Sequence, residues 1–193
     1  MCLAVNFSAG KEVVVDFKVG QKVVYPNHGL GVIEAICVRE VCTGQTCEFY
    51  QLRLIATNSI VMVPTANARE VGLRPPITPD GCHRLLQVLA EDFEDPPMDW
   101  KGRYKDFTER MRTGDIFEIA YVLKTLVYLN TIKPLSFREK RLLEKARYLV
   151  VSEVAEALRR SVGQIDSLID QALEQACAKH QNGRASRAFA ARM

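Results

Sequence analysis

The sequence predicts an α+β protein in which a small, highly bent β-barrel precedes an all-α domain of about five helices. Two patterns lead to this prediction. Short β-branched segments separated by tight turns fill residues 17–73, and apolar residues recur at helical spacing from residue 79 onward. Prolines mark the joint near residues 75–79. The expected divisions are an N-terminal extension over 1–16, a β domain over 17–75, a helical domain over 79–177 and a disordered basic tail over 178–193.

Four or five short strands joined by tight turns predict the barrel. Gly29 ends the first turn, because glycine adopts a positive φ without steric cost. Pro64 ends the last strand, because proline cannot donate a hydrogen bond to a β-ladder. The strands are expected at 22–25, 31–39, 47–54 and 60–64, with a hairpin turn at 43–46.

Capping residues and chain breaks divide the second half into helices. Asp80 is a candidate N-cap of the first helix, and Asp99 can cap the second. Ser136, followed three residues later by Glu139, forms a capping box that opens a long basic helix. The strongly apolar helix before it spans 116–131, and breaks are expected at 93–97, Gly114, Pro134 and Gly163.

Charge is unevenly distributed along the chain, although the net charge is only +3. Residues 98–150 carry twelve Lys or Arg against seven Asp or Glu, whereas 81–97 and 151–176 each have a net charge of −3. Residues 1–80 are balanced, with seven residues of each sign. A basic segment between acidic ones indicates an anionic partner for the helical domain. A solvated, mixed-charge helical surface accounts for the pattern equally well.

The sequence lacks the residue patterns that an enzyme or a metal site requires. His28, His83 and His180 have no partner pattern, and the six cysteines include no CxxC pair. We therefore expect a non-enzymatic protein with no cofactor, no metal and no small-molecule substrate. No signal peptide or stretch of roughly 18 apolar residues is recognisable, which predicts a cytoplasmic protein with reduced thiols and no membrane contact.

Trp100 is the most informative residue of the basic segment, because it opens a helix among three cations, Lys101, Arg103 and Lys105. Two interpretations stay open. Trp100 shares a helical stripe with Tyr104, so it can pack into the core. Alternatively, an exposed tryptophan can wedge against bases while the cations contact phosphate.

The basic helix at 137–150 extends this candidate anion-binding surface. Its outward face is expected to carry Arg138, Lys140, Arg141, Lys145 and Arg147. Phosphate contacts from such residues are sequence-independent and weaken steeply with salt. No pattern is typical of a helix-turn-helix reader, so the expected binding is weak and guided by a partner.

Four segments resemble the CarD family, which is also called CdnL. They are 17–29 (FKVGQKVVYPNHG), 61–74 (VMVPTANAREVGLR), 100–105 (WKGRYK) and 139–147 (EKRLLEKAR). The resemblance extends in order over about residues 17–175. It implies a Tudor-like, SH3-like N-terminal barrel that binds the RNA polymerase β subunit. It also implies a helical domain that contacts promoter DNA, largely independently of sequence, in the minor groove at the upstream edge of the melting region.

The resemblance also implies roles for individual residues. Trp100 corresponds to a tryptophan that wedges into the minor groove and stabilises the open complex. The implied phosphate contacts are Arg103 and Lys105, with Lys140 and Arg141 as weaker candidates. The implied polymerase contacts are Arg39, Val41 and Met62. Met62 stands where some members have a second arginine, so the contact at this position would be apolar here. Gly102 occupies a site that is basic in some relatives.

Two other classes of function compete with this hypothesis. The chain could be a protein-interaction adaptor whose basic face meets an acidic protein without direct DNA contact. It could also bind RNA, as some small barrels do. Residues 1–80, which contain the barrel, carry no net charge, and this argues against RNA. We expect the protein to act as a monomer.

Overall fold

The computed structural model describes residues 16–42, 45–96 and 99–190, and within these ranges it has the α+β architecture that the sequence predicts. An N-terminal β domain is followed by five helices. The first fifteen residues of the expected N-terminal extension and part of the expected turn at 43–46 lie outside the described ranges.

The β domain is a curled, four-stranded antiparallel sheet with strand order β1-β2-β3-β4. Its strands are β1 (Lys22–Tyr25), β2 (Gly29–Cys42), β3 (Gln45–Leu54) and β4 (Ile60–Pro64), and a short 3-10 helix follows at Thr65–Asn67. Gly29 has the expected positive φ, at 82°. An antiparallel bridge between Val24 and Arg74 returns the chain to β1, which brings the two ends of the domain together.

The inner face of the curled sheet forms a small apolar core. Phe17 packs edge-on against Tyr50, with ring centroids 5.8 Å apart, and the Phe17 amide donates to the Tyr50 hydroxyl at 3.2 Å. Ile33 and Leu52 lie fully buried opposite each other on β2 and β3. A bulge at Glu34 bends β2, and Glu34 forms an ion pair with Arg53 on the outer side of the sheet.

The helical domain consists of α1 (Pro79–Ala90), α2 (Trp100–Thr113), α3 (Ile116–Ile132), α4 (Phe137–Leu158) and α5 (Val162–Ala190). The structure confirms some of the predicted helix N-caps and contradicts one of them. Asp99 accepts from the amides of Lys101 and Gly102, as expected. Asp80 was the wrong candidate, because Thr78 caps α1 and Pro79 occupies its first turn. The break or bend expected at Gly163 falls slightly earlier, at residues 159–161, because Arg159 ends α4 in the left-handed region and Gly163 is the second residue of α5.

The core of the helical domain is built around α3, which packs against all four other helices. Val122, Leu123 and Leu126 of α3 are fully buried, as their helical spacing predicts. Phe107 from α2 and Ile169 from α5 close the core on other sides. The buried apolar stripe thus fixes where α2 and α4 lie relative to each other.

The expected disordered tail differs from the structure, because α5 continues through Ala190. His180 explains the difference. Its ring is fully buried, stacks on Phe93 at 4.3 Å and meets the edge of Tyr128. Its two nitrogens lie 2.8 and 3.0 Å from carboxylate oxygens of Asp92 and Asp95. These contacts bind the end of α5 to the segment that leads into α2.

The two domains meet through an ion pair between a partly buried arginine and a buried glutamate. Arg74, at the end of the β domain, contacts both carboxylate oxygens of Glu153 on α4 at 2.5 and 2.9 Å, and donates to the carbonyl of Gly114. Glu153 also accepts from the Ile77 amide at 2.9 Å. A second, more exposed pair joins Lys22 to Glu156. The ion pairs therefore hold α4 against the β domain.

The cysteines of the described chain occupy contrasting environments. Burial, together with the neighbouring Glu153 carboxylate, raises the pKa of Cys82 to about 11. Cys47 is exposed. Since the thiolate is the reactive form, we expect iodoacetamide at pH 7.5 to alkylate Cys82 at least about 100-fold more slowly than an ordinary thiol. Peptide mass spectrometry measures the rates. Labelling of Cys82 as fast as Cys47 in folded protein would contradict this environment.

Candidate functional site

The first turn of α2 presents Trp100 to solvent. The side chain is 52% exposed, while Phe107 and Met111 on the same stripe are buried. Of the two interpretations of Trp100, burial in the core is therefore excluded. Lys101 lies 5.8 Å from the indole centroid, and Asp99 caps the turn below it. An exposed aromatic ring thus projects from the start of a capped, rigid helix.

Arg103 faces inward rather than toward solvent. Its Nη2 donates to Glu139 Oε1 of α4 at 2.9 Å, and the two side chains are only 11% and 10% exposed. Burial acts to raise the pKa of Glu139, but hydrogen bonds from Arg103 and Ser136 outweigh it and hold that pKa below its usual value. Arg103, expected to contact phosphate, instead joins the first turns of α2 and α4.

Glu139 also completes the predicted capping box of α4. Its backbone amide donates to the Ser136 hydroxyl, and its carboxylate accepts from the Ser136 amide at 3.0 Å. One carboxylate thus fixes the start of α4 and, through Arg103, the start of α2. The sequence signalled the cap but not the second contact, because Arg103 lies 36 positions away.

The cations of the predicted basic face of α4 fall into two groups, those in the first two turns and those that bind other elements. Arg138, Lys140 and Arg141, in its first two turns, are exposed. Farther along, Arg147 is held by Asp166 and Asp170 of α5, at 2.8 and 2.6 Å. Lys145 donates to the Asn27 side chain in the β domain at 3.1 Å, and burial lowers its pKa.

Four of the five predicted DNA contacts therefore lie exposed at the beginnings of two helices that a buried ion pair joins: Trp100, Lys105, Lys140 and Arg141. We call this surface the helix-start surface and include Lys101, Phe137 and Arg138 in it. A duplex is a regular array of phosphates, so a rigid surface with several cations matches its backbone chemically. Gly102 is exposed in the same turn of α2, and its amide donates to the Asp99 carboxylate at 2.9 Å.

The predicted polymerase contacts lie on the sheet. Arg39 of β2 is exposed and pairs with Cys47, while Met62 of β4 pairs with Gln51 and is half-buried. Because side chains alternate along a strand, the register places Arg39 and Met62 on the same side, opposite the core. We call this side the outer face. Val41 lies two residues beyond Arg39 on β2, and its side chain is outside what the structure describes.

The β2–β3 hairpin extends beyond the rest of the sheet. β1 pairs only with residues 29–32 of β2. In the described part of the chain, β2 beyond Glu34 is therefore paired on one side only. Val38 in this stretch is 65% exposed. An edge strand beside apolar side chains is a surface onto which another sheet can add.

Sequence reasoning missed the residues that hold these surfaces in place. Arg74 and Glu153 fix the domains, and His180 fixes the segment before α2. No local signal marks them, since their partners lie 76 to 88 positions away. Across the described ranges, no cluster of His, Cys, Asp and Glu is arranged to hold a metal ion, and no helix is long and apolar enough to cross a membrane.

Comparison with known proteins gives a consistent result for both domains. Residues 17–77 match the family model "CarD-like/TRCF RID domain", and residues 84–170 match "CarD, C-terminal domain". The chain is also 32% identical, over 138 residues, to the Bacillus subtilis (strain 168) protein named "Putative transcription factor YdeB". That match covers 72% of this chain and 90% of the relative. The chain therefore belongs to the CarD family of transcription regulators.

Proposed function

We propose that this protein binds the β subunit of RNA polymerase through its β domain and stabilises the open promoter complex through its helix-start surface. Trp100 wedges into the minor groove at the upstream edge of the bubble, while Lys101, Lys105, Lys140 and Arg141 contact phosphates. The observation that carries the proposal is the 52% exposure of Trp100 in the first turn of a capped helix, next to exposed cations. Membership in a family of transcription regulators supports it.

The polymerase contact is proposed for the outer face and for the edge of β2 beyond Glu34. The match to the RID model covers the β domain. Arg39 supplies a positive charge there, and Met62 supplies an adaptable apolar contact in place of a second charge. The strand edge beyond Glu34 can add main-chain hydrogen bonds.

The mechanism is differential binding. A protein that contacts the open promoter more tightly than the closed one shifts the equilibrium by the difference alone. Attachment to polymerase raises the local concentration of the helix-start surface, to about the millimolar range for a short connection, so weak DNA contacts suffice. The rigid Arg74–Glu153 contact sets the direction in which Trp100 points from the bound β domain.

The test is binding to an upstream-fork promoter DNA in complex with polymerase, measured as a function of salt. About four phosphate contacts predict a slope of log affinity against log salt of about −3 to −4. The alternative, a protein-interaction adaptor without direct DNA contact, predicts that fork DNA adds nothing to the affinity for polymerase. An affinity for polymerase that is equal with and without the fork would favour the adaptor.

Replacing Arg39 by Glu should abolish retention on immobilised polymerase without unfolding the chain. The side chain is exposed, so the substitution changes stability by no more than about 0.5 kcal/mol, while it reverses the charge at the contact. Arg69→Glu is the matched control, since Arg69 is an exposed arginine of the same domain in the turn after the 3-10 helix. Retention of Arg39→Glu at wild-type levels would remove Arg39 from the interface.

A further inference from the structure

Phe137 is the first residue of α4, and its side chain is 73% exposed. Among the described residues it is the most exposed of the large hydrophobic side chains. The capping box of α4 uses Ser136 and Glu139, so neither the helix start nor the core requires an aromatic ring here. Neither the helix cap nor the core therefore explains why an aromatic side chain is exposed at this position.

Arg141, one helical turn later, covers one side of this ring. Its guanidinium carbon lies 5.3 Å from the Phe137 centroid, within the range of a cation–π contact. In the described part of the chain no carboxylate forms an ion pair with Arg141. The pair therefore offers an apolar ring beside a charged donor.

The Arg103–Glu139 ion pair joins the first turns of the two helices that carry Trp100 and Phe137. Trp100 lies three residues before Arg103, and Phe137 lies two residues before Glu139. Both rings are therefore within one helical turn of a 2.9 Å buried contact. Exposed Lys101, Arg138 and Lys140 are part of the same surface, so its charge suits a polyanion rather than an apolar protein partner.

We propose that Phe137 and Arg141 form a second DNA contact, on the same upstream duplex that Trp100 wedges. The Phe137 ring packs against a deoxyribose, and the Arg141 guanidinium binds an adjoining phosphate. Since a phenyl ring has no hydrogen-bonding group, this contact reads no base and is independent of sequence. The inference rests on the proposed function and adds a second aromatic anchor to it.

The test is a double-mutant cycle with Phe137→Ala, Arg141→Ala and both together, measured as affinity of the polymerase-bound protein for fork DNA. Phe137→Ala should weaken binding about 3- to 5-fold and leave the salt slope unchanged. Arg141→Ala should reduce the slope by about 1. Because the two side chains act as a unit, the double variant should lose less than the product of the single losses.

Val162→Ala is the matched control, because Val162 is 61% exposed and lies just beyond the far end of α4, a helix about 33 Å long. Trp100→Ala, measured in parallel, separates the two claims. If Trp100→Ala weakens fork binding and Phe137→Ala does not, the inference fails and the proposed function stands. If neither variant has an effect, both fail. Loss of polymerase retention in Phe137→Ala would assign the ring to a protein contact and overturn the inference.

Discussion

Replacing Trp100 by alanine is expected to shorten the lifetime of the open promoter complex about tenfold, which corresponds to about 1.4 kcal/mol. Loss of an aromatic stacking contact with a base costs roughly 1–3 kcal/mol, so a tenfold effect lies at the low end of that range. The expectation follows from the exposure of the indole and its place in the first turn of α2. Lifetime is measured by challenging preformed complexes with a competitor.

The controls separate a wedge from a fold defect. An exposed side chain contributes little to stability, so Trp100→Ala should unfold at nearly the same denaturant concentration as the wild type. It should also be retained on polymerase like the wild type, because the outer face is unchanged. Trp100→Phe, which keeps a smaller ring, should give an intermediate lifetime. An unchanged lifetime in Trp100→Ala would refute the wedge.

Replacing Arg74 by alanine is expected to lower the free energy of unfolding by about 3 kcal/mol, the largest loss expected for any ion pair of the domain contact. The change leaves the buried Glu153 carboxylate, whose side chain is only 5% exposed, without its arginine partner. Of the contacts described above, only the hydrogen bond from the Ile77 amide remains. Removing one member of a buried pair costs more than the pair contributes, because the other charge stays desolvated. Chemical denaturation measures the change.

The structure supplies a matched control on the same interface. Lys22 and Glu156 also join the β domain to α4, but their side chains are 45% and 32% exposed. An exposed pair contributes at most about 1 kcal/mol, so Lys22→Ala should have a small effect. Adding Glu153→Gln to Arg74→Ala should restore part of the lost stability. Equal effects of Arg74→Ala and Lys22→Ala would contradict the buried contact.

Arg74→Ala should also separate the two proposed activities. The outer face is intact, so retention on polymerase should persist. The helix-start surface is then held less firmly against the β domain, because only Lys22–Glu156 and Lys145–Asn27 remain of the polar contacts described between the β domain and α4. The open-complex lifetime should therefore fall. A variant that is destabilised yet keeps the full lifetime would show that the domain contact has no role in positioning Trp100.

Local signals in the sequence predicted local structure well. The cap at Asp99, the capping box at Ser136 and the positive φ of Gly29 all occur as expected, because each depends on residues within three positions. The change from strand to helix periodicity also predicted strands followed by helices, which is the order that the structure has. The CarD resemblance is confirmed by the matching family models.

Contacts between distant residues were beyond reach of the sequence patterns. Periodicity placed Trp100 on the core stripe of α2 but could not say that its first turn lies at the surface. Arg103 and Arg147 were indistinguishable from free surface cations, yet both are held by carboxylates of other helices. His180 seemed to belong to a tail because its partners lie 85 and 88 positions earlier. The roles of Arg39 and Met62 stay predictions.

The most direct test of the central claim is the lifetime of the open complex with and without this protein, on a promoter whose open complex is short-lived. The account predicts a lifetime about tenfold longer at saturating protein, an effect that Arg39→Glu and Trp100→Ala each remove for different reasons. An identical lifetime with and without the wild-type protein, under conditions in which it is retained on polymerase, would contradict the account.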